Sequence, residues 1–403
     1  LKKNKIIIYI FNKKNLIIRF ININNNKINI NMQKDNKITI IGVGKLGLGL
    51  GLLFEKHGYE VLGIDKNTEY VNTLNSKQLN TIEPHYNQML SNSKNIKFSY
   101  KLQDGIEHSD YIYILIQTPN SGGEKFYDHS FLSNLLAELN SYKLHNKHII
   151  IGCTVMPNYI NQIGSFLLDK CVDCSLSYNP EFVAQGNVID GFANPDLILI
   201  GTHSKKVECK LKEIYDKTSI NKPKYCVMSP LEAEITKISI NGFITTKLSF
   251  ANMISDVCDN LGANKEKVLN SIGTDSRIGN NYFKVGYSYG GPCFPRDTKA
   301  LNLFVTQSNI PSDLLTATSK YNDYHIKYQA DQLLEQNKGQ DTFEFDNVSF
   351  KQTNTTTIIE ESAKLKIAKY LVQKGKHVII KDIKPIIDEV KKEYGNLFTY
   401  CNI

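Results

Sequence analysis

The 403-residue chain is longer than one ordinary domain, so two or three domains are expected. With 41% hydrophobic and 22% charged residues it has the make-up of a globular protein in water, and no apolar run reaches the ~18 residues that would span a bilayer. The net charge of +8 does not point to nucleic acid: seven bases lie before Met32 with no acid among them, and from Met32 on 41 bases face 40 acids.

The opening LKKNKIIIYIFNKKNLIIRFININNNKININ is built almost wholly of Ile, Asn, Lys, Phe and Leu. It shows neither a cleavage-site pattern nor an Arg/Ser-rich amphipathic one, so residues 1–31 are expected to be a disordered, non-functional extension ahead of a start at Met32. Eight cysteines, Cys153, Cys171, Cys174, Cys209, Cys226, Cys258, Cys293 and Cys401, are scattered through a long chain. Reduced thiols in the cytoplasm fit that spread better than a disulfide framework. The CxxC of Cys171 and Cys174 has no second pair at finger-like spacing, and no metal is expected.

From Lys37, KITIIGVGKLGLGLGLLFEKHGYEVLGID reads as a strand, a glycine turn, a helix and a second strand closing at Asp65. Gly42, Gly44 and Gly47 stand in GxGxxG spacing. Gly42 suits the tight turn, Gly44 lets a pyrophosphate approach the helix N-terminus, and Gly47 lets the helix lie close to the strand. Val43, Lys45 and Leu46 complete the same cofactor-binding loop. Asp65, 21 residues beyond Gly44, is placed to accept hydrogen bonds from ribose hydroxyls and would repel a 2′-phosphate, so NAD rather than NADP is expected. Further apolar strands at 110–119, 147–155 and 195–201 extend this into a parallel, doubly wound sheet. Loops at the C-terminal ends of such strands line the cofactor crevice, which brings in Thr118 and the pair Cys153–Thr154.

Near the middle of the chain, YGGPCFPRD places Cys293 behind Gly290, Gly291 and Pro292 and ahead of Pro295. Those residues are read as preventing regular structure, and Asp297 adds a carboxylate one turn on. This suits a presented nucleophile, although Gly-Pro loops also hold inert cysteines.

Taken in order, IGVGKLG, QTP, CTVMP, NPEFVAQG, EAEITKISIN, DSRIGNNYF and YGGPCFPRDTKAL resemble the UDP-glucose 6-dehydrogenase group of the UDP-glucose/GDP-mannose dehydrogenase family, over about Lys37 to Leu303. The resemblance implies oxidation of a sugar C6 alcohol to a carboxylate with two NAD per UDP-glucose, through a thiohemiacetal and a thioester on Cys293. It further implies Lys237 and Asn241 as stabilisers of the developing oxyanion and Asp297, with a water held at Thr154, as the base. Glu181 is the acid of thioester hydrolysis, and Gln185 stands near the nicotinamide. Glu181, Phe182, Lys237, Asn241, Tyr287, Gly290, Phe350 and Lys351 fall at substrate-binding positions. Arg277 matches an arginine that reaches the partner subunit's substrate, so a homodimer is expected. Its interface is assigned to a helix over 230–260 with Ile235, Ile238, Phe243, Leu248, Phe250 and Ile254 as the apolar stripe, although a helix packed within its own subunit has the same pattern.

The fold class is α/β, with two Rossmann-like doubly wound domains joined by a central long helix. The expected divisions are an NAD-binding domain at 32–210, a central helical domain with the catalytic cysteine at 211–325, and a shortened nucleotide-sugar domain at 326–403. Three departures stand out. Gln185 replaces a usual glutamate, Arg296 a usual lysine, and Glu360 falls where the family has an arginine on the cofactor. After HVIIKD only one helix-like stretch is expected. A catalytically impaired NAD-binding descendant, or a dehydrogenase of a UDP-N-acetylhexosamine or GDP-mannose, therefore stands beside the active UDP-glucose enzyme.

Overall fold

The computed structural model describes residues 36–183, 186–351 and 356–403; the expected extension at 1–31 and Gln185 lie outside these residues. The first sheet holds β1 (Lys37–Ile41), β2 (Glu60–Ile64), β3 (Ile96–Ser99), β4 (Tyr111–Ile114), β5 (His148–Ile151), β6 (Ser175–Tyr178), β7 (Leu197–Gly201) and β8 (Lys224–Met228), in spatial order β3-β2-β1-β4-β5-β6-β7-β8. Strand β1 lies third in that order, Ile40 opposite Gly63 on one side and Tyr113 on the other, both in parallel register. Its neighbours are near-continuous apolar runs because helices cover both faces. Leu48, Leu52, Leu211 and Ile214 pack one face and Leu132, Leu136 and Tyr159 the other.

Two expectations about this sheet need correction. The strand expected at 195–201 as one more parallel member is β7, and it meets β6 antiparallel, Tyr178 opposite Gly201. Between them lies only the short helix Val188–Ala193. Too short to carry the chain back across the sheet, it leaves β7 to start at the edge where β6 ends. Helix Lys205–Thr218 then makes a full crossover, and β8 runs parallel to β7. This helix spans residue 210, so the first sheet runs past the expected division there to Met228.

The long helix is Pro230–Leu261. Ser229 caps it in a capping box with Glu232, Pro230 opens it, and Gly262 at φ 69° closes it. Its polarity is inverted. The face packed within the chain carries buried Glu234, Lys237, Thr245, Ser249, Asn252, Ser255 and Asp256. Ile235, Phe243, Phe250, Met253, Val257 and Leu261 are exposed on the helix. Of the expected stripe, Ile238 is instead buried in its own subunit, and Ile254 packs beside Ala251, Leu269 and Phe283.

Helix Asp313–Gln336 joins the central region to the last domain. Thr318 is held by Ser249 of the long helix, whereas Ile326 and Ala330 belong to the C-terminal core, so the division expected at 325/326 falls inside one rigid rod. That last domain has a three-stranded parallel sheet, β9 (Thr342–Asp346), β10 (His377–Asp382) and β11 (Thr399–Asn402), ordered β11-β10-β9. Strand β11 corrects the expectation of one helix alone after HVIIKD: helix Lys384–Tyr394 returns the chain, and TYCN pairs with β10.

Candidate active site

The glycine turn is built as its spacing predicts. Gly42 has φ +88° and donates to the Ile64 carbonyl at 2.8 Å, tying the turn to the end of β2. A Cβ on Gly47 would stand 1.9 Å from the Gly42 carbonyl oxygen, so only glycine lets the helix approach β1 this closely. Gly44 differs: it is exposed at the helix N-terminus and a Cβ there would meet no protein atom within 4 Å. That open space at a helix N-terminus is the cradle a pyrophosphate needs. Val43 is buried beneath it, and Leu46 packs on the core. Asp65 follows β2 directly, its carboxylate accepting from the Asn67 N–H at 3.0 Å. Glycine turn, helix N-terminus and acid thus fit the two halves of a dinucleotide. Gly44→Ala is expected to cost stability less than about 1 kcal/mol while weakening NAD binding at least tenfold, roughly. Gly47→Ala should instead lower the melting temperature, because backbone must move. Calorimetry of NAD binding alongside thermal melting separates the two.

Loops after β4, β5 and β6 converge beside this turn. Thr118 is buried and its hydroxyl donates to the Thr154 carbonyl at 3.0 Å, fastening the first two loops together. Cys153 is buried, and burial pushes its thiol up to about 12, so it is a packing residue at the crevice wall. After β6 come Glu181 and Phe182. Their loop is held by Glu83, a buried carboxylate that accepts from Gly186 N–H at 2.9 Å and Val188 N–H at 3.0 Å. Sequence reading passed over Glu83, because an isolated IEPH segment far from the loop gives no hint of the pairing.

The central region brings the remaining groups to this edge. Lys237, buried on the long helix, donates to the Glu181 carbonyl and sets its ammonium 4.2 Å from the Phe182 ring centre. One turn on, Asn241 Nδ2 donates to Asp297 Oδ2 at 2.5 Å. Asp297 lies in the first turn of helix Phe294–Gln307 and is 1% exposed. Its backbone N–H donates to the Cys293 carbonyl at 2.8 Å, the first turn of that helix. Pro295 therefore opens a helix rather than preventing one, since its fixed φ suits the first turn and its missing N–H is not needed there.

Cys293 occupies the N-cap of this helix and is exposed, although protein surrounds its sulfur on most sides. Burial of the thiol raises its pKa and Asp297 raises it further, while Arg296 and Lys237 oppose; Glu181 adds to the rise. Burial likewise raises Glu181 above the usual carboxylate range, against the pull of Lys237 and of the Val183 N–H. An acid poised in this way suits proton transfer nearer neutrality.

Of the other expected substrate residues, Gly290 lies under the last domain, as does its neighbour Gly291. A Cβ on Gly290 would stand 2.1 Å from the Glu361 carbonyl oxygen, and one on Gly291 would stand 2.5 Å from the Phe350 ring. The Gly291 N–H donates to the Glu360 carbonyl at 3.1 Å, so Glu360 is anchored by its backbone to the loop that leads to Cys293, its side chain exposed. Lys351 is placed beside the Phe350 ring, and burial lowers its pKa while Glu83 opposes. Tyr287 is exposed and its carbonyl accepts from Asn252. Arg277 stands apart, 87% exposed and paired with Asp275 at 2.6 Å.

Comparison with known proteins accords with this arrangement. Residues 36–219 match the NAD binding domain and residues 231–324 the central domain of the UDP-glucose/GDP-mannose dehydrogenase family. The chain is 29% identical over 351 residues to the UDP-glucose 6-dehydrogenase of Rickettsia bellii, spanning 85% of this chain and 79% of that one. It is 30% identical over 298 residues to the UDP-glucose 6-dehydrogenase of Rhizobium meliloti, spanning 71% and 67%. In fold it is similar to a UDP-glucose dehydrogenase from Pyrobaculum islandicum, with TM-score 0.82 and 24% identity over 90% of this chain and 85% of that one. The UDP-D-ManNAc dehydrogenase of Pyrococcus horikoshii is similar at TM-score 0.74 and 21% identity, over 86% and 83%. A glycine cradle with its acid, a thiol at a helix start, and domains matched in order over most of the length leave one conclusion: the chain belongs to the UDP-glucose/GDP-mannose dehydrogenase family and is an NAD-dependent oxidoreductase.

Proposed function

We propose that the chain oxidises the C6 alcohol of UDP-glucose to the carboxylate, passing through a covalent thioester on Cys293. One observation carries this reading: Cys293 starts the helix whose first turn holds Asp297 against Asn241, and Lys237, one turn from Asn241, holds the Glu181 loop at the edge of the dinucleotide domain. Relatives named for UDP-glucose support the choice of sugar.

NAD, when bound, supplies the hydride acceptor for both oxidations. Asp297 removes the C6 hydroxyl proton through a water seated at Thr154 as C6 becomes an aldehyde. The Cys293 thiolate adds to that carbon, and Lys237 and Asn241 donate to the oxygen that gains charge. Loss of a second hydride from C6 leaves the thioester. Glu181 then assists water in cleaving the C–S bond, returning the thiol and releasing UDP-glucuronate. Tyr287, Gly290, Phe350 and Lys351 hold the nucleotide between the central and last domains.

We assign the working form to a homodimer. Exposed Phe243, Phe250, Met253, Val257 and Leu261 on the long helix form an apolar surface whose burial a second copy supplies. Arg277, free of the home cleft, reaches the partner's substrate. Eight unpaired thiols suit a reducing cytoplasm, and no helix among the described residues is long and apolar enough to cross a membrane.

Residues 32–403, given UDP-glucose and NAD, should form two NADH for each sugar consumed, and should sediment as a dimer that Phe243→Glu converts to monomer. One NADH per sugar would remove the thioester from the scheme. NADH from UDP-N-acetylmannosamine or GDP-mannose alone would reassign the sugar, and none from any nucleotide sugar despite NAD binding would mark an impaired descendant.

A further inference from the structure

Tyr127 is a buried polar group at the site that the scheme above leaves without a task. It belongs to the loop after β4, on the dinucleotide side of the cleft, and is 4% exposed. Its hydroxyl donates to Asp297 Oδ1 across the domain junction, while Asn241 donates to Oδ2 at 2.5 Å. Over its ring lies the Arg296 guanidinium, 4.4 Å from the centroid, and Arg296 Nη1 donates to the Thr118 carbonyl at 3.4 Å. The loop that faces the cofactor and the helix that starts at the nucleophile are thus fastened to each other at the base.

The phenol acts here as a donor. Burial holds its pKa well above the ordinary tyrosine value, and the charge of Asp297 raises it further against Arg296, so the O–H stays intact through the working range. A carboxylate offers about four lone-pair directions, and Tyr127 and Asn241 take one on each oxygen. Donors on both oxygens fix the rotation of the carboxylate about its last torsion, which is otherwise soft. The directions left over are then fixed too, and a base removes a proton only along such a direction, within hydrogen-bond reach.

We propose that Tyr127 is the positioning residue of the base: it clamps the Asp297 carboxylate in one orientation and makes that orientation depend on the seating of the cofactor-facing loop. The proposal rests on the reading of Asp297 as the base. Charged and titratable groups around the carboxylate are Tyr127 from the β4 loop, Cys293 and Arg296 from its own helix start, and, acting on the same thiol, Lys237 from the long helix and Glu181 from the β6 loop.

Tyr127→Phe keeps the ring under Arg296 and removes only the O–H. Relative to wild type, kcat should fall about tenfold with both KM values within about twofold. In a crystal structure of the variant the Asp297 carboxylate should leave its present orientation. Wild-type kcat, or a loss confined to KM, overturns the proposal. A carboxylate that keeps its orientation on Asn241 overturns it as well, whether or not the enzyme turns over UDP-glucose. A wild type without activity on nucleotide sugars removes the reading of the site instead, and the crystal structure of the variant still decides the clamp.

Discussion

Cys293→Ser is expected to lower steady NADH formation by more than roughly a thousandfold while leaving NAD binding in place. Serine fits the N-cap as well as cysteine does, so the helix start and the Asp297 position survive. What disappears is the polarisable anion. A serine hydroxyl at this position stays protonated, and neither Arg296 nor Lys237 brings it near ionisation, so on the proposed route the aldehyde has no nucleophile and the second oxidation fails. The thiol itself is held above the usual range, first by burial and then by Asp297, so the thiolate fraction at neutral pH is small and grows as pH rises. Alkylation of Cys293 by iodoacetamide should accordingly accelerate through and beyond pH ~8.5, the ordinary thiol value. Arg296→Met removes an opposing cation and should slow alkylation about tenfold at a given pH. Rapid, pH-independent alkylation near neutrality would contradict this account of the thiol.

The second large effect concerns the frame of the nucleophile loop. Asp256, buried on the long helix, accepts from the Tyr321 hydroxyl at 2.6 Å, and His325 Nδ1 lies 2.9 Å from the same oxygen. On the far side of the imidazole, Nε2 lies 3.1 Å from the Gly286 carbonyl, at the root of the loop that leads to Cys293. Asn322 adds a second mooring, its Oδ1 accepting from the Tyr289 N–H at 2.9 Å and its Nδ2 donating to the Tyr289 carbonyl at 3.1 Å. Asp256→Ala leaves the buried His325 and the half-buried Tyr321 without their acceptor and is expected to cost about 3 kcal/mol, a fall in melting temperature of roughly 4 °C in a chain of this length. Thermal denaturation followed by circular dichroism measures it, and a fall within about 1 °C of wild type would mean that the cluster does not hold the loop.

Both effects arise where sequence and structure differ in legibility. The dinucleotide turn could be read because Gly42, Gly44, Gly47 and Asp65 lie within one βαβ unit, and each residue's task follows from local backbone geometry. The exposed position of Cys293 could be read because glycines and prolines frame it. Strands β6, β8 and β11 escaped notice: SLSY, KYCVM and TYCN are short, carry polar or exposed positions, and show no sustained alternation. Nor does any local signal show that β7 reverses direction, since that depends on how little helix precedes it. Glu234 and Asp256 look like a solvated face on a long helix, yet both are buried, because this helix turns its apolar side outward. Tyr127 sits in GGEKFYDHS without a motif, and its partner Asp297 lies in another domain. Its place just after the flagged Thr118 is the one clue the sequence offered.

Quenched turnover of Glu181→Gln with UDP-glucose and NAD, followed by peptide mass spectrometry, tests the central claim most directly. The account predicts a mass increase on the peptide carrying Cys293 equal to UDP-glucose less four hydrogens, counted against the free thiol form and lost on treatment with hydroxylamine. An unmodified Cys293 peptide while NADH accumulates would contradict it.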